Sequence, residues 1–205
     1  MKQVGFTKID FDVFQIDGLQ NRMQAIQEQI QPKFKSIGIE LTDYLASKLG
    51  NEMYLHIAKH ARRTVNPPKD TWLAVADNKR GYKKHPHFQV GLFDDRLFIW
   101  LAFIYELPSK AKIAQAFLEQ IEIFEQLSDD FVISFDHMKK DAIPVSQLTE
   151  KNLQRFRDVK KAELLIGKHI PKIEASQLSG DDLIALVKAS YDQLLPFYQL
   201  GKKAI

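Results

Sequence analysis

The sequence predicts an α+β domain over residues 1–205, with an antiparallel sheet and helices packed mainly on one of its faces. Three observations point there. Four strand-like segments follow one another through short loops, which implies antiparallel pairing. The densest apolar stretch, Leu97 to Tyr105, is apolar on both alternating faces, as a central strand is. The strict alternation of strand and helix that a doubly wound nucleotide-binding fold requires is absent.

The elements follow in order. Phe11 to Ile16 reads equally as a short strand or a helical turn. Asp17 stands as an N-cap with Gln20 three residues on, and Leu19, Met23, Ile26, Ile30 and Phe34 recur at helical spacing up to a bend or restart at Pro32. A second helix runs from about Glu40, with Leu41, Tyr44, Leu45 and Leu49 on one face and Gly50 as its stop. Met53 to Lys59 alternates as a half-buried strand does. Asn66-Pro67-Pro68 interrupts regular structure, and Trp72 to Ala76 resumes as a strand. Phe88 to Phe93 and Leu97 to Tyr105, separated by Asp94-Asp95-Arg96, form a hairpin. Beyond it, Pro108-Ser109 opens a helix with the core stripe Ile113, Phe117, Ile121 and Phe124, and Phe131 to Phe135 is a strand. Thr149 caps a helix with Leu148 as a hydrophobic staple, Ala162 to Ile170 is a strand, and Ser179 caps a last helix with a kink expected at Pro196.

Composition narrows the function. With 205 residues, 45% hydrophobic and 27% charged, the chain has the make-up of an ordinary folded domain. The lack of cysteine excludes disulfides, a thiol nucleophile and thiolate-bound metal, and it fits a reducing compartment. Met1 to Ile30 has no apolar run like that of a signal peptide, and Leu97 to Tyr105 is too short to cross a bilayer. A cytoplasmic protein that does not enter membranes is expected.

The net charge of +3 hides an asymmetry. From His56 to His87, Lys59, Arg62, Arg63, Lys69, Lys79, Arg80, Lys83 and Lys84 face only Asp70 and Asp77, a local balance of +6 that leaves −3 for the remainder. Four of the six histidines, His56, His60, His85 and His87, share this window.

Several segments together resemble a known family. Gly5-Phe6-Thr7, the helix start Asp17-Gly-Leu-Gln-Asn-Arg, the segment His60-Ala-Arg-Arg-Thr-Val-Asn-Pro-Pro-Lys-Asp-Thr-Trp-Leu-Ala and the later Arg80-Gly-Tyr-Lys-Lys-His-Pro-His-Phe-Gln-Val-Gly-Leu are similar to the YktB-like family, an uncharacterised family of Gram-positive bacteria. The resemblance runs the whole length. It implies a curved antiparallel sheet with helices behind it, of the TATA-binding-protein-like class, and no catalytic assignment.

The candidate anion-binding set is Lys59, Arg62, Arg63, Arg80, Lys83 and Lys84, with Tyr82 and Trp72 as rings on which bases stack. Nucleic acid is the first partner expected, and another anionic ligand the second. The bland alternative is a solvated surface neutralised by acidic helices of the same chain. A different class of function would use Tyr54, His56, His87 and Gln89 to line a polar cavity between sheet and helices. A third reading is a homo-oligomeric scaffold with the apolar hairpin or the Pro196-Phe-Tyr end at its interface. The histidines come without a His-Glu-x-x-His motif, so no metal site is assigned and no cofactor is implied. Asp94-Asp95 and Asp129-Asp130 sit at turns, where aspartate bonds to backbone. No nucleophile elbow or phosphate-binding glycine loop is present, so the sequence does not decide whether the protein is an enzyme.

Overall fold

The structure, a computed structural model, describes residues 5–205. Its centre is an antiparallel sheet of seven strands: β1 (Tyr54–Ile57), β2 (Asp70–Ala76), β3 (His87–Phe93), β4 (Arg96–Phe103), β5 (Val132–Ser134), β6 (Ile143–Pro144) and β7 (Leu164–Pro171). Their spatial order is β1-β2-β3-β4-β7-β5-β6, so β4 is central, as its two apolar faces require. The four predicted strands lie side by side in it, and the hairpin turns on Asp94-Asp95.

Helices cover one face. Leu73, Val75, Phe88, Val90, Leu92, Leu97, Ile99, Leu101, Phe103 and Ile166 point into the main core. Against them lie α1 (Lys8–Asp12), α2 (Leu19–Ala25), α3 (Gln31–Leu49), α4 (Lys110–Glu119), α5 (Glu150–Asp158), α6 (Lys172–Ala175) and α7 (Gly180–Lys203), directly or in a second layer. The helix α3 rests on β1 and β2, and α7 rests on β3, β4 and β7. Two caps match the sequence reading: Thr149 and Asn152 form a reciprocal capping box, and Ser179 Oγ accepts from the Asp182 N–H at 3.1 Å.

Phe11 to Ile16, open between a short strand and a helical turn, takes the helical form: Phe11 and Asp12 end α1 and Val13–Gln15 form a 3-10 turn. Two local expectations change. Gly18, not Asp17, is the N-cap of α2. The two helices expected before and after Glu40 are one run. A π-type turn at Ile26–Ile30 absorbs the irregularity near Pro32, which sits in the first turn of α3, where a missing N–H costs nothing. Pro196 lies inside α7 without ending it. The short β6 and α6 had no periodic signal.

The opposite face has no helix over it, yet Trp72, Ala74, Phe93, Phe98, Trp100, Ala102 and Leu165 are buried there in a second apolar cluster. The sheet packs these side chains largely against itself. Phe98 occupies the space above Gly91 across β3 and β4, and Trp100 that above Gly167 across β4 and β7. A methyl group at Gly167 would run into the Ile99 carbonyl oxygen and come within 2.8 Å of the Trp100 ring, and one at Gly91 would run into the Phe98 ring, so both glycines are required by close approach. The loop after β5 closes this face: His137 packs edge-on to Trp72 of β2, with ring centres 6.1 Å apart. In a flat sheet β2 and β5 would be separated by roughly 19 Å, four spacings of about 4.8 Å, so the sheet and its loop curl inward. Lys140 of the same loop pairs with Asp94 and Asp95 at the hairpin turn.

Trp100 is 3% exposed and central to this self-packed face. Trp100→Ala should cost about 3–5 kcal/mol, a large part of the stability of a domain, and lower the urea midpoint accordingly. An unchanged midpoint would contradict the packing described.

Candidate functional site: the basic mouth of the concave face

At its β1–β2 end the concave face opens between two loops, residues 58–69 and 77–86. Lys59, Arg62, Lys83 and Lys84 line one groove of about 640 Å³, with His56, Tyr82 and Glu106. An adjoining cleft of about 280 Å³ shares Lys59, Arg62, Tyr82 and Lys83 and adds Arg63, His60, Trp72 and His137. Two loops distant in sequence therefore bring five of the predicted cations together. Arg80 is exposed and lines neither space.

Among the described residues, none of the window's eight cations forms an ion pair. Of the nearby acids, Asp77 is bound to Lys202 at 2.6 Å, Asp70 is buried, and Glu106 lines the groove without an ion pair to these cations. Among the described residues, no acidic side chain of a helix forms an ion pair with this surface.

Trp72 is the hub of the cleft. Its indole N–H donates to the Tyr82 hydroxyl at 3.0 Å, the His60 ring stands edge-on at 5.6 Å, and Lys83 Nζ lies 5.5 Å from the ring centre. His60 has φ +49°, the only positive value at a non-glycine residue among those described. Burial, then Arg63 and Lys83, push its pKa down to about 4, so the ring is neutral at pH 7. Its Nε2 is 3.1 Å from Thr71 Oγ1. His137 is held from behind: its Nδ1 donates to Glu163 at 2.8 Å, and Glu163 also accepts from the backbone N–H groups of His137 and Tyr105.

The second predicted set is placed differently from the cavity expected between sheet and helices. Tyr54, His56, His87 and Gln89 carry the register of Ala74 and Trp100, which puts them on the face away from the helices. His87 and Gln89 are buried and bonded to each other at 2.8 Å, and burial holds the His87 pKa at about 3. They are interior supports. Tyr54 bonds to Glu52, and His56 Nε2 bonds to the Asn78 carbonyl at 2.9 Å. Tyr82 does not offer a free ring to a base: His56 stacks on it at 4.8 Å, and His87 meets it edge-on at 4.9 Å.

Sequence reasoning missed Asp70, His137 and Glu163. An aspartate at the head of the apolar run Trp72 to Ala76 was a signal for the first. The other two are joined by strand order alone. Asp136, His137 and Glu163 hold ligand atoms within 4.8 Å of one another. Asp136 accepts from the Met138 N–H, and Glu163 accepts as given above, so hydrogen bonds account for the cluster without an ion.

Asp70 is 1% exposed, and neither carboxylate oxygen has a hydrogen-bond partner. Burial raises its pKa from 3.8 to about 6, opposed by His137, Arg63 and Lys83. Between those two values the folded state holds a proton that the unfolded chain has released, so stability falls as pH rises through this window. Above about pH 6 the ionised group costs up to about 3 kcal/mol. Asp70→Asn should therefore raise the denaturation midpoint at neutral pH by the equivalent of about 1–3 kcal/mol, and by little near pH 3.5. A midpoint unchanged or lowered at neutral pH would contradict this.

The comparisons with known proteins agree with the motifs. The model described as "Domain of unknown function (DUF1054)" matches residues 6–198. A UPF0637 protein of Oceanobacillus iheyensis is 60% identical over 197 residues, covering 96% of both chains. One from Shouchella clausii is 60% identical over 202 residues (98% and 96% covered), and one from Listeria welshimeri is 56% identical over 198 residues (95% and 96%). A solved conserved hypothetical protein of Pyrococcus furiosus has a TM-score of 0.36 and 13% identity, covering 80% of this chain and 92% of that one, too distant to carry an argument. The chain belongs to the DUF1054 family of unknown function, whose curated members are named UPF0637 and which is the YktB-like family that the motifs pointed to.

Proposed function

We propose that the protein binds a phosphate-bearing partner, single-stranded nucleic acid first, in the basic groove at the mouth of the concave face. The observation that carries this is the convergence of Lys59 and Arg62 with Lys83 and Lys84 on one groove, where among the described residues none of them forms an ion pair and Glu106 is the one acid in the lining. Unpaired cations on two facing loops repel one another and lower stability, a cost that a bound polyanion removes. Arginine forks onto phosphate oxygens, and lysine adds point charge. The groove spans a few residues, which suits a strand or a strand end better than a duplex.

Other features support the setting. No helix among the described residues is long and apolar enough to cross a membrane. With no cysteine in the chain, we place the protein in the cytoplasm.

Binding to short single-stranded oligonucleotides should weaken steeply with salt, by about 0.7 in log K per log salt for each phosphate neutralised. The double variant Arg62→Ala, Lys84→Ala should flatten that slope, and Arg80→Ala, outside the groove, should change it much less. These exposed positions should alter stability by no more than about 0.5 kcal/mol. Absence of binding at low salt, or an equal slope in wild type and double variant, would overturn the reading.

A further inference from the structure

The cleft beside the groove holds a set of groups that anion binding alone does not explain. Its floor is Trp72, and around the rim of that ring stand two imidazoles and a lysine: His60, His137 and Lys83. Arg62 and Arg63 complete the wall. The two histidines are held in different ways. His60 has a neutral ring in a backbone conformation that side chains rarely adopt, and such strain is concentrated at functional sites. In the tautomer whose Nε2–H donates to Thr71 Oγ1, Nδ1 carries the lone pair that takes up a proton. His137 is fixed through Nδ1 by the buried carboxylate of Glu163, which leaves Nε2 as the ring nitrogen available to a substrate atom.

The geometry points to a metal-independent phosphodiester-cleaving site in the Trp72 cleft, acting on single-stranded RNA with His60 as general base and His137 as general acid. The inference rests on the proposed binding of nucleic acid in the adjoining groove. In this reaction His60 removes the proton of a ribose 2′-hydroxyl, and the 2′-oxygen forms a bond to the neighbouring phosphorus. The bond from phosphorus to the 5′-oxygen breaks, and His137 protonates that oxygen. The products are a 2′,3′-cyclic phosphate and a 5′-hydroxyl. No atom is lost, and no oxidant, water or metal is consumed. Lys83, Arg62 and Arg63 stabilise the charge that develops on the phosphoryl oxygens. The nucleophile belongs to the substrate, so the missing serine or cysteine nucleophile motif is no obstacle. DNA, lacking the 2′-hydroxyl, should bind without being cut.

The test is incubation of the purified full chain with an end-labelled single-stranded RNA and its all-DNA counterpart in the presence of EDTA, alongside a binding measurement. RNA should be cut to the cyclic phosphate, and DNA should be bound intact. His60→Asn, chosen because asparagine tolerates positive φ, and His137→Asn, chosen because its amide still donates to Glu163, should each lower the rate about 100-fold or more with binding kept within a few-fold. Lys83→Ala, at a half-buried side chain without an ion pair, is the variant to use should either of these unfold, and it should lower the rate about tenfold or more. RNA that is bound but left intact would overturn this inference and leave the binding function standing. RNA neither bound nor cut would overturn both. Cleavage at the wild-type rate in the folded variants would place the activity elsewhere and also overturn the inference.

Discussion

A sheet that must bury its second face without helices is the constraint on which the rest depends. Two aromatic side chains over two glycines satisfy it: Phe98 above Gly91 and Trp100 above Gly167. The missing Cβ atoms let the Phe98 and Trp100 rings, and at Gly167 the Ile99 backbone, approach the neighbouring strand closely, and the loop after β5 reaches back to Trp72 and to the hairpin turn. Burial of the rings supplies stability of the kind that helices give the other face. The curl also leaves one end open, between the loops that follow β1 and β2.

That opening is electrostatically divided. Inside lie polar groups that are either matched, such as His87 with Gln89 and His137 with Glu163, or unmatched, such as Asp70. At the rim stand cations that form no ion pair among the described residues. Stability alone would favour neither a buried unpaired carboxylate nor clustered free cations. Each has a physical cost, and both costs fall at the same place, where His60 also carries backbone strain. Proteins accept such concentrations where they bind or react.

Much of this fold was legible because its signals are local. The alternation in Leu97 to Tyr105 specified a central strand, and Thr149 and Ser179 marked helix starts through short-range hydrogen bonds. The basic window was legible as charge, but its convergence was not: antiparallel β1 and β2 put the loops after them at opposite strand ends, and they meet only because residues 77–86 fold back over the sheet, bringing Tyr82 onto His56 and Trp72. What escaped depends on pairing between distant segments. His137 meets Trp72 only because β5 joins the far side of β7 and the sheet curls, and no periodicity in the sequence encodes that order. Likewise Tyr54, His56, His87 and Gln89 were correctly grouped on one face by alternation, but alternation does not say which face the helices cover. The junction of α2 and α3 was hidden for a different reason, because a π-type turn carries no residue signature comparable to a glycine stop.

The central claim is that the open end of the concave face, with Trp72 as its floor, is where the protein meets its partner. The two tryptophans report on it directly, since both belong to this face and only Trp72 lines the cleft. In a ¹⁵N-labelled sample each indole gives its own N–H signal, and a short single-stranded RNA can be titrated in at low salt. The signal from Trp72, hydrogen-bonded to Tyr82, should shift with saturation while that of Trp100 stays in place. A Trp72 signal that does not move while binding is detected by other means, or a shift confined to Trp100, would contradict the account.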